Sequence, residues 1–226
     1  RRQRQMCIRD RFNIDIKTDS CSLFLAKKVK DIVIGESPTF IKSRLMASGI
    51  RPINNVVDIS NYVMLETGQP LHFYDADSLG DTLVVRMANK NEKLTTLDNI
   101  ERTLDENVIV IANKKEAIGI AGVMGGLTTE VENSTKNIII ESAIFDNVKV
   151  RKASKKIVRS EASNRFEKGL DPSRTYMAID RACNLLEKYA NGKVLSGTLK
   201  YDKTDNKDKI IAVSYTHLTL PTNSLV

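Results

Sequence analysis

The stretch from residue 82 to residue 145 constrains the fold most, because it alternates short β-branched runs with turn residues. The runs read TLVVRMA, KLTTLD, VIVIAN, AIGIAGV and KNIIIESAIF, and Asn, Asp, Lys and Gly separate them. Runs of this length and composition are typical of strands in a mixed or antiparallel sheet. The middle of the chain is therefore predicted to be rich in strands.

Two helical patterns precede this region. In ESPTFIKSRLMASG, Ser37 is the predicted N-cap and Pro38 the first helical residue, and four apolar residues follow at helical spacing: Phe40, Ile41, Leu45 and Met46. The segment NNVVDISNYVMLETG predicts a second helix, capped by Asn54 or Asn55 and ended near Gly68.

Two further helical patterns follow the strand-rich region. Residues 149–158 predict a basic helix. Asp171 and Pro172 open another, which ends near Gly192 and has a largely apolar face: Met177, Ile179, Ala182, Leu185, Leu186 and Tyr189. Residues 193–200 predict a last strand. The fold class expected from this order is α+β, with a strand-rich, sandwich-like or mixed sheet core flanked by helices.

The two ends of the chain resemble translated sequencing adapter. Residues 6–10 can be encoded by ATGTGTATAAGAGAC, and the reverse complement of this word translates as residues 213–217. The match extends one codon further, to Gln5 and Leu218. We therefore interpret residues 1–11 and 213–226 as non-native and exclude them from fold reasoning. Residues 12–200 are expected to form one domain, and residues 201–212 a charged linker to the next module.

This exclusion changes the bulk properties of the chain. The first eleven residues contain five arginines and one aspartate, so they account for +4 of the net charge of +7. The remaining +3 is too small to indicate nucleic-acid binding by itself. Cys21 and Cys183 remain, without metal-ligand spacing, and are predicted to be buried thiols of a reducing compartment. No apolar run is long enough for a membrane span, so a cytoplasmic protein is expected.

His72 is the only histidine outside the excluded ends. It lies in GQPLHFYD, residues 68–75, between a Gly-Gln-Pro turn and an aromatic pair. It is either a half-buried residue at the start of a strand or a residue of a site. No Ser-His-Asp order, zinc spacing or two-metal carboxylate cluster is present, so any hydrolysis would depend on positioning and electrostatics.

The glycine-rich stretch GIAGVMGG, residues 119–126, has two readings. It is either a strand that ends in a tight glycine turn or one wall of a small-molecule pocket, since glycine lets a ligand approach the backbone. No Lys-Ser/Thr follows the glycines, so a phosphate-binding loop is not expected.

Two charged stretches also have alternative readings. In IIIESAIFD, Glu141 points to the same side of a strand as Ile139 and away from Ile140, either into a cleft or into water at the strand end. The segment RSEASNRFEKGLDPSR, residues 159–174, could meet RNA phosphates. For Arg165 and Glu167 we favour an internal salt-bridge network.

Four stretches together resemble the editing domain of the bacterial phenylalanyl-tRNA synthetase beta subunit. They occur in family order and spacing between about Ser22 and Gly197: ASGIRPINNVVDISNYVMLETGQPLHFYD, GIAGVMGG, IIIESAIFD and SEASNRFEKGLDP. The resemblance implies hydrolysis of tyrosine mischarged onto tRNA(Phe), within an assembly with the synthetase alpha subunit. It implies no cofactor in this segment, since ATP and magnesium are used elsewhere in the synthetase, and neither a membrane nor DNA as a partner.

The resemblance also implies roles for individual residues. It assigns Glu141, with the backbone of Gly122, to the tyrosine side chain and its phenol, and it implies that Ala121 keeps the pocket mouth open. The remaining pocket positions would hold the terminal adenosine, the ester and the attacking water, with His72 positioning water or substrate and Ser160 beside it: Arg51, Ser60, His72, Ser160 and Ala162.

The sequence departs from the family pattern at a few positions. Ser60 and Ser160 stand where threonine is common, which keeps the hydroxyl. HFYD stands where His-Ala-Phe-Asp is more usual, so Phe73 replaces a small residue and bears on the pocket volume beside His72. A non-catalytic module that docks tRNA or acts as a scaffold in the same subunit is the alternative function. Retention of Glu141 and His72 favours editing.

Overall fold

The computed structural model describes residues 12–205, which form two large β-sheets and a layer of helices. The predictions for residues 1–11 and 213–226 lie outside this range. In spatial order, the first sheet contains Asn13–Ile16 (β1), Thr82–Met87 (β4), Ile109–Ala112 (β7), Ala117–Ile120 (β8) and Met124–Gly125 (β9). β1 pairs with β4 in parallel and the other pairs are antiparallel, so this sheet is mixed.

The second sheet is antiparallel throughout. In spatial order it contains Lys193–Val194 (β11), Cys21–Lys30 (β2), Ile138–Phe145 (β10) and Leu71–Asp75 (β3), and Leu199–Asp202 (β12) also pairs with β2. A separate antiparallel pair consists of Glu92–Thr95 (β5) and Glu101–Leu104 (β6).

The described residues contain six α-helices. Their bounds are Thr39–Ala47 (α1), Asn55–Thr67 (α2), Ala76–Leu79 (α3), Asn147–Lys156 (α4), Glu161–Phe166 (α5) and Pro172–Tyr189 (α6). Between residues 12 and 205, none of these helices has the length and apolarity that crossing a bilayer requires.

Two apolar clusters divide the core at the second sheet. One face of that sheet, with Phe24 and Ile139, packs toward the first sheet and α4. The other face, with Leu25 and Ile140, packs against α1, α2 and α6. The result is a sheet-on-sheet sandwich with helices on its outer side, which confirms the predicted α+β class with a sandwich-like, mixed sheet core.

Several local sequence signals act as predicted. The side chain of Asn54 accepts hydrogen bonds from two N–H groups of the first turn of α2, which ends at Gly68 in the left-handed conformation. Asp171 caps α6 and Pro172 is its first residue. Cys21 and Cys183 are free and buried, and burial raises the pKa of both thiols, to about 12 for Cys183.

Other local predictions are wrong. Ser37 does not cap α1; its hydroxyl donates instead to Asp58 of α2 (2.5 Å), and Pro38 is the N-cap. Met46 and Met177, expected on apolar faces, are more than half exposed. Tyr201 and Asp202 pair with β2 in β12, so a linker cannot begin before residue 203. Residues 206–212 of that segment lie outside the described range.

Asn55, a buried residue, joins three segments through side-chain hydrogen bonds. Its Oδ1 accepts from the Gly35 N–H (3.0 Å), and its Nδ2 donates to the carbonyls of Val33 and Tyr189 (2.9 Å each). The side chain thus joins the start of α2 to the end of α6 and to the segment that follows β2.

We expect Asn55→Ala to lower the free energy of unfolding by about 3 kcal/mol, because it removes three hydrogen bonds made by a buried side chain, each contributing about 1 kcal/mol. Asn107→Ala is the control: Asn107 is exposed in a turn, so its change should stay within about 0.5 kcal/mol. Urea unfolding measures both. Equal effects of the two substitutions would contradict the role of Asn55.

Candidate functional site

Strand pairing brings His72 and Glu141 together. In the register of β10 with β3, Glu141 lies opposite His72. Directly opposed residues of an antiparallel pair project to the same face of the sheet. This face is the one that packs toward the first sheet, so both side chains lie between the two sheets.

A third residue, Tyr74, completes the cluster. It lies two residues after His72 in β3 and therefore points to the same face. Its hydroxyl donates to Glu141 Oε2 at 2.5 Å, and its ring meets the imidazole edge-on with the centroids 4.4 Å apart. Tyr74 is 1% exposed and Glu141 is 6% exposed, so their hydrogen bond is shielded from bulk water.

These three side chains line a small cavity between the sheets. Its volume is about 70 Å³. Apart from the three polar residues, its walls are apolar side chains and glycine backbone: Pro70, Leu71, Ile111, Gly119, Ile120, Ala121, Gly122, Val123, Met124, Gly125, Ala162 and Phe166. An apolar pocket with a few convergent polar groups is the usual form of a small-molecule site.

The glycines of residues 119–126 lie in a strand and a tight turn, and three of them line the cavity: Gly119, Gly122 and Gly125. Gly122 sits in a turn with φ of +69°, and a Cβ there would lie 3.0 Å from the Phe166 ring. A Cβ at Gly125 would lie 2.6 Å from Nε2 of His72, so the imidazole packs directly on the backbone. No residue between 12 and 205 accepts the Gly122 N–H, which leaves one backbone donor in the wall.

Burial shifts the protonation equilibria of all three polar residues. Desolvation raises the pKa of Glu141 to about 7, although the hydrogen bond from Tyr74 opposes the rise. Burial, and then the adjacent Glu141, raise the pKa of the Tyr74 phenol. Burial lowers the pKa of His72 to about 4, so the imidazole is neutral at pH 7.

A second, larger cavity of about 350 Å³ is also lined by residues of β3. Leu71 and His72 line both cavities. Ser60 lines the larger one, and its hydroxyl donates to the Leu71 carbonyl (3.1 Å). We call the smaller cavity, which contains Glu141, the inner cavity, and the larger one, bordered by α2, the outer cavity; His72 belongs to the lining of both.

Of the four remaining predicted site residues, two line the inner cavity and two line neither cavity. Ala121 and Ala162 line the inner one. Ser160 lines neither; it caps α5 and its hydroxyl donates to the Val123 carbonyl (2.6 Å), which fixes α5 against the glycine wall. Arg51 is exposed and lines neither cavity. Arg165 pairs with Glu161 (2.7 Å), so its salt bridge forms within α5, although not with Glu167.

Phe73 does not line the inner cavity beside Glu141, but it lines the outer cavity beside His72. Strand alternation places it on the opposite face of β3, where it is 6% exposed and packs in the helix-side cluster. The residue that the sequence analysis missed is Tyr74. Its position two residues after His72 in a strand was the available signal. No group of three or more His, Cys, Asp or Glu side chains in residues 12–205 is arranged to hold a metal ion.

The comparison with protein families identifies the class. Residues 20–191 match the B3/4 domain, and the chain belongs to this family. The similar proteins are beta subunits of phenylalanine-tRNA ligase. The chain is 50% identical over 194 residues to the subunit of Bacillus cereus, covering 85% of this chain and 24% of that protein. It is 43% identical over 208 residues to the subunit of Clostridium tetani, covering 91% and 26%.

A solved structure has the same fold. It is an N-terminal fragment of the phenylalanyl-tRNA synthetase beta subunit from Pyrococcus horikoshii, with a TM-score of 0.53 and 13% identity, covering 81% of this chain and 50% of that one. At this identity the likeness concerns the fold alone. The chain spans about a quarter of the length of its bacterial relatives.

The buried carboxyl makes stability depend on pH. Because the pKa of Glu141 rises from 4.5 to about 7 on folding, the folded state loses stability as pH rises through this interval. Between pH 5 and pH 8 this loss of unfolding free energy amounts to about 2 to 3 kcal/mol. We expect it to be absent in the Glu141→Gln variant, because an amide does not titrate. Urea unfolding of both proteins measures it. The contribution of His72 cancels in the difference, and a difference independent of pH would contradict the assigned environment.

Proposed function

We propose that this chain is the editing domain of a phenylalanine-tRNA ligase beta subunit and hydrolyses tyrosyl-tRNA(Phe) in the cytoplasm. One observation carries the proposal. The inner cavity has largely apolar walls, and its lining includes Glu141 and Gly122, whose backbone N–H has no acceptor in the described chain. The chemistry of this lining, though not its present volume, suits an aromatic ring that carries a hydroxyl.

The physical logic of selection supports this substrate. A pocket for phenylalanine excludes one added hydroxyl poorly, whereas a site that hydrogen-bonds the hydroxyl rejects phenylalanine by factors of roughly 10⁴ or more. Phenylalanine in the inner cavity would leave Glu141 and Gly122 without the bonds that a phenol supplies. Discrimination at this second site therefore needs no further machinery.

The proposed reaction is ester hydrolysis. Water attacks the carbonyl carbon that joins tyrosine to the terminal ribose, and the products are tyrosine and free tRNA. His72 lines both cavities, so the ester would lie near it if the side chain fills the inner one and the adenosine the outer one. With a pKa near 4 its imidazole is a weak base, which supports a role in holding water or substrate.

The outer cavity fits the terminal adenosine. Ser60 lines this cavity, and so do Ile53 and Asn54, two and three residues after Arg51. The Arg51 side chain can therefore contact the adenosine phosphate from outside. Ser160 has a positioning role. The hydrogen bond from its hydroxyl to the Val123 carbonyl fixes α5, and α5 holds Ala162 at the inner cavity.

The basic face of α4 suits the approaching tRNA. The two undescribed ends carry +4 and +1 of the net +7, so residues 12–205 carry +2. Yet α4 and the residues up to Arg159 contain six basic and no acidic side chains. Val150 on the buried side of α4 packs near Gly122 in the cavity wall, so the exposed cations are close to the site. Phenylalanine activation, with ATP, magnesium and the alpha subunit, belongs to other parts of the proposed synthetase.

One observation favours the alternative, a non-catalytic module that docks tRNA. The inner cavity, at about 70 Å³, has about half the volume of a roughly 150 Å³ cavity that binds benzene. A phenol ring can enter fully only if the wall moves. Met124 is the lining side chain best able to move, because it is unbranched and flexible.

Deacylation of tyrosyl-tRNA(Phe) by the ligase assembled with the full beta subunit tests the two functions. We expect Glu141→Ala to lower kcat/KM by about 100-fold, because the phenol loses a charged acceptor, and Ala121→Trp to abolish turnover by filling the cavity. Phenylalanine activation should be unchanged in both.

Circular dichroism of the two variants serves as the folding control. Turnover indifferent to both substitutions would favour the docking module. His72→Ala is expected to cost less than Glu141→Ala, and a complete loss would make His72 the general base.

Salt dependence tests the basic face. Replacing Arg151, Lys152 and Lys155 by glutamine should weaken tRNA binding. The fall of log K with log salt concentration should become less steep by about 2, because each contact to single-stranded phosphate contributes about 0.7. The matched control neutralises three exposed lysines on turns of the first sheet: Lys90, Lys114 and Lys115. Equal slopes for the two triple variants would show that the tRNA approaches elsewhere.

A further inference from the structure

The two oxygens of the Glu141 carboxyl are in different situations. Oε2 accepts the hydroxyl of Tyr74 at 2.5 Å. No donor in residues 12–205 reaches Oε1, although the residue is 6% exposed and lines the inner cavity. One oxygen is therefore occupied by a phenol of the protein itself, and the other is available to a ligand.

We infer that Tyr74 is a specificity-determining positioning residue: its phenol holds Glu141 Oε2 so that Oε1 faces the cavity as the acceptor for the phenol of the substrate. The inference rests on the proposed editing function and extends it. Glu141 then bridges two phenols, one permanent and one brought by the mischarged tRNA.

The geometry fixes the orientation of the carboxyl. Tyr74 is buried, and its ring is held edge-on against His72, 4.4 Å between centroids. The phenol therefore has little freedom, and the carboxyl that it binds cannot rotate without breaking a short, charge-assisted hydrogen bond. A group held in this way loses little conformational entropy when the substrate binds.

The second consequence concerns the protonation of Glu141. His72 and Tyr74 from β3 and Cys21 from β2 are the titratable groups that face it, and the other cavity-lining residues carry none. Both His72 and Cys21 are neutral at pH 7 because burial shifts their pKa values. The hydrogen bond from Tyr74 is the interaction that lowers the pKa of Glu141 against desolvation. Tyr74 thus keeps part of the carboxyl ionised, as an acceptor, near neutral pH.

Selection between tyrosine and phenylalanine follows from this arrangement. A tyrosyl group supplies a donor to Oε1, whereas a phenylalanyl group in the same cavity excludes water and supplies none. Leaving a buried charged acceptor unpaired is far more costly than losing an ordinary hydrogen bond. This energetic difference between the tyrosyl and the phenylalanyl group grows with the fraction of Glu141 that is ionised.

Tyr74→Phe tests the inference in the ligase assembled with the full beta subunit. The variant keeps the ring and removes only the hydroxyl. At pH 7, kcat/KM for deacylation of tyrosyl-tRNA(Phe) should fall about tenfold, and its ratio to the value for phenylalanyl-tRNA(Phe) should fall with it. The midpoint of the rise of kcat/KM with pH should move upward by about one unit, since the ionised carboxyl loses a stabilising donor.

A matched control and a double variant separate positioning from folding. Tyr62 is also buried and its hydroxyl also bonds charged groups, Arg44 and Glu66, but it lines neither cavity of the site, so Tyr62→Phe should leave the pH midpoint unchanged. In a Glu141→Gln background, Tyr74→Phe should have little further effect on kcat/KM.

The outcomes distinguish this inference from the proposed function. A wild type that does not hydrolyse tyrosyl-tRNA(Phe) overturns both. An active wild type with an unchanged pH midpoint in Tyr74→Phe, or with additive effects of the Tyr74 and Glu141 substitutions, overturns the role of Tyr74 and leaves editing intact.

Discussion

The structure depends on strand β10, which is buried on both of its faces. It lies in the centre of the second sheet, between β2 and β3, and separates the inter-sheet cluster from the helix-side cluster. Such a strand must be apolar on both sides, and Ile138, Ile139 and Ile140 meet this requirement. The next residue, Glu141, does not, and the cavity, the shifted pKa values and the hydrogen bond from Tyr74 all surround that exception.

A buried carboxyl is tolerated only where its cost is offset. Here the offset is incomplete, because Tyr74 satisfies one oxygen and desolvation still raises the pKa of Glu141 to about 7. Above neutral pH, the free energy of unfolding is therefore lower than it would be with an amide side chain at this position. Functional sites commonly retain such locally unfavourable groups, since the unmet hydrogen-bonding capacity is what a ligand can use.

Residues around the cavity shape its wall and fix the helices that pack beside it. The glycines of residues 119–126 let the imidazole of His72 and the ring of Phe166 lie against backbone, which keeps the cavity narrow. Ser160 fixes α5 to the glycine wall, and α4 packs behind it with its cations exposed. Residues 12–205 carry a net charge of only +2, and yet they present a basic surface at α4, because the fold places the positive side chains together.

The amino-acid sequence by itself determined the α+β class, the strand-rich middle, the caps of α2 and α6, and the side of the strand to which Glu141 points, because these follow from local periodicity and capping chemistry. The family resemblance added the other candidate residues and the role of each. Only the tertiary structure decided which of them meet. The register of β3 with β10 sets His72 opposite Glu141. Strand alternation turns Phe73 away from Glu141 and Tyr74 toward it. Ser160 fixes α5 through its hydrogen bond to the Val123 carbonyl. Register and burial arise from long-range pairing, which local patterns do not encode.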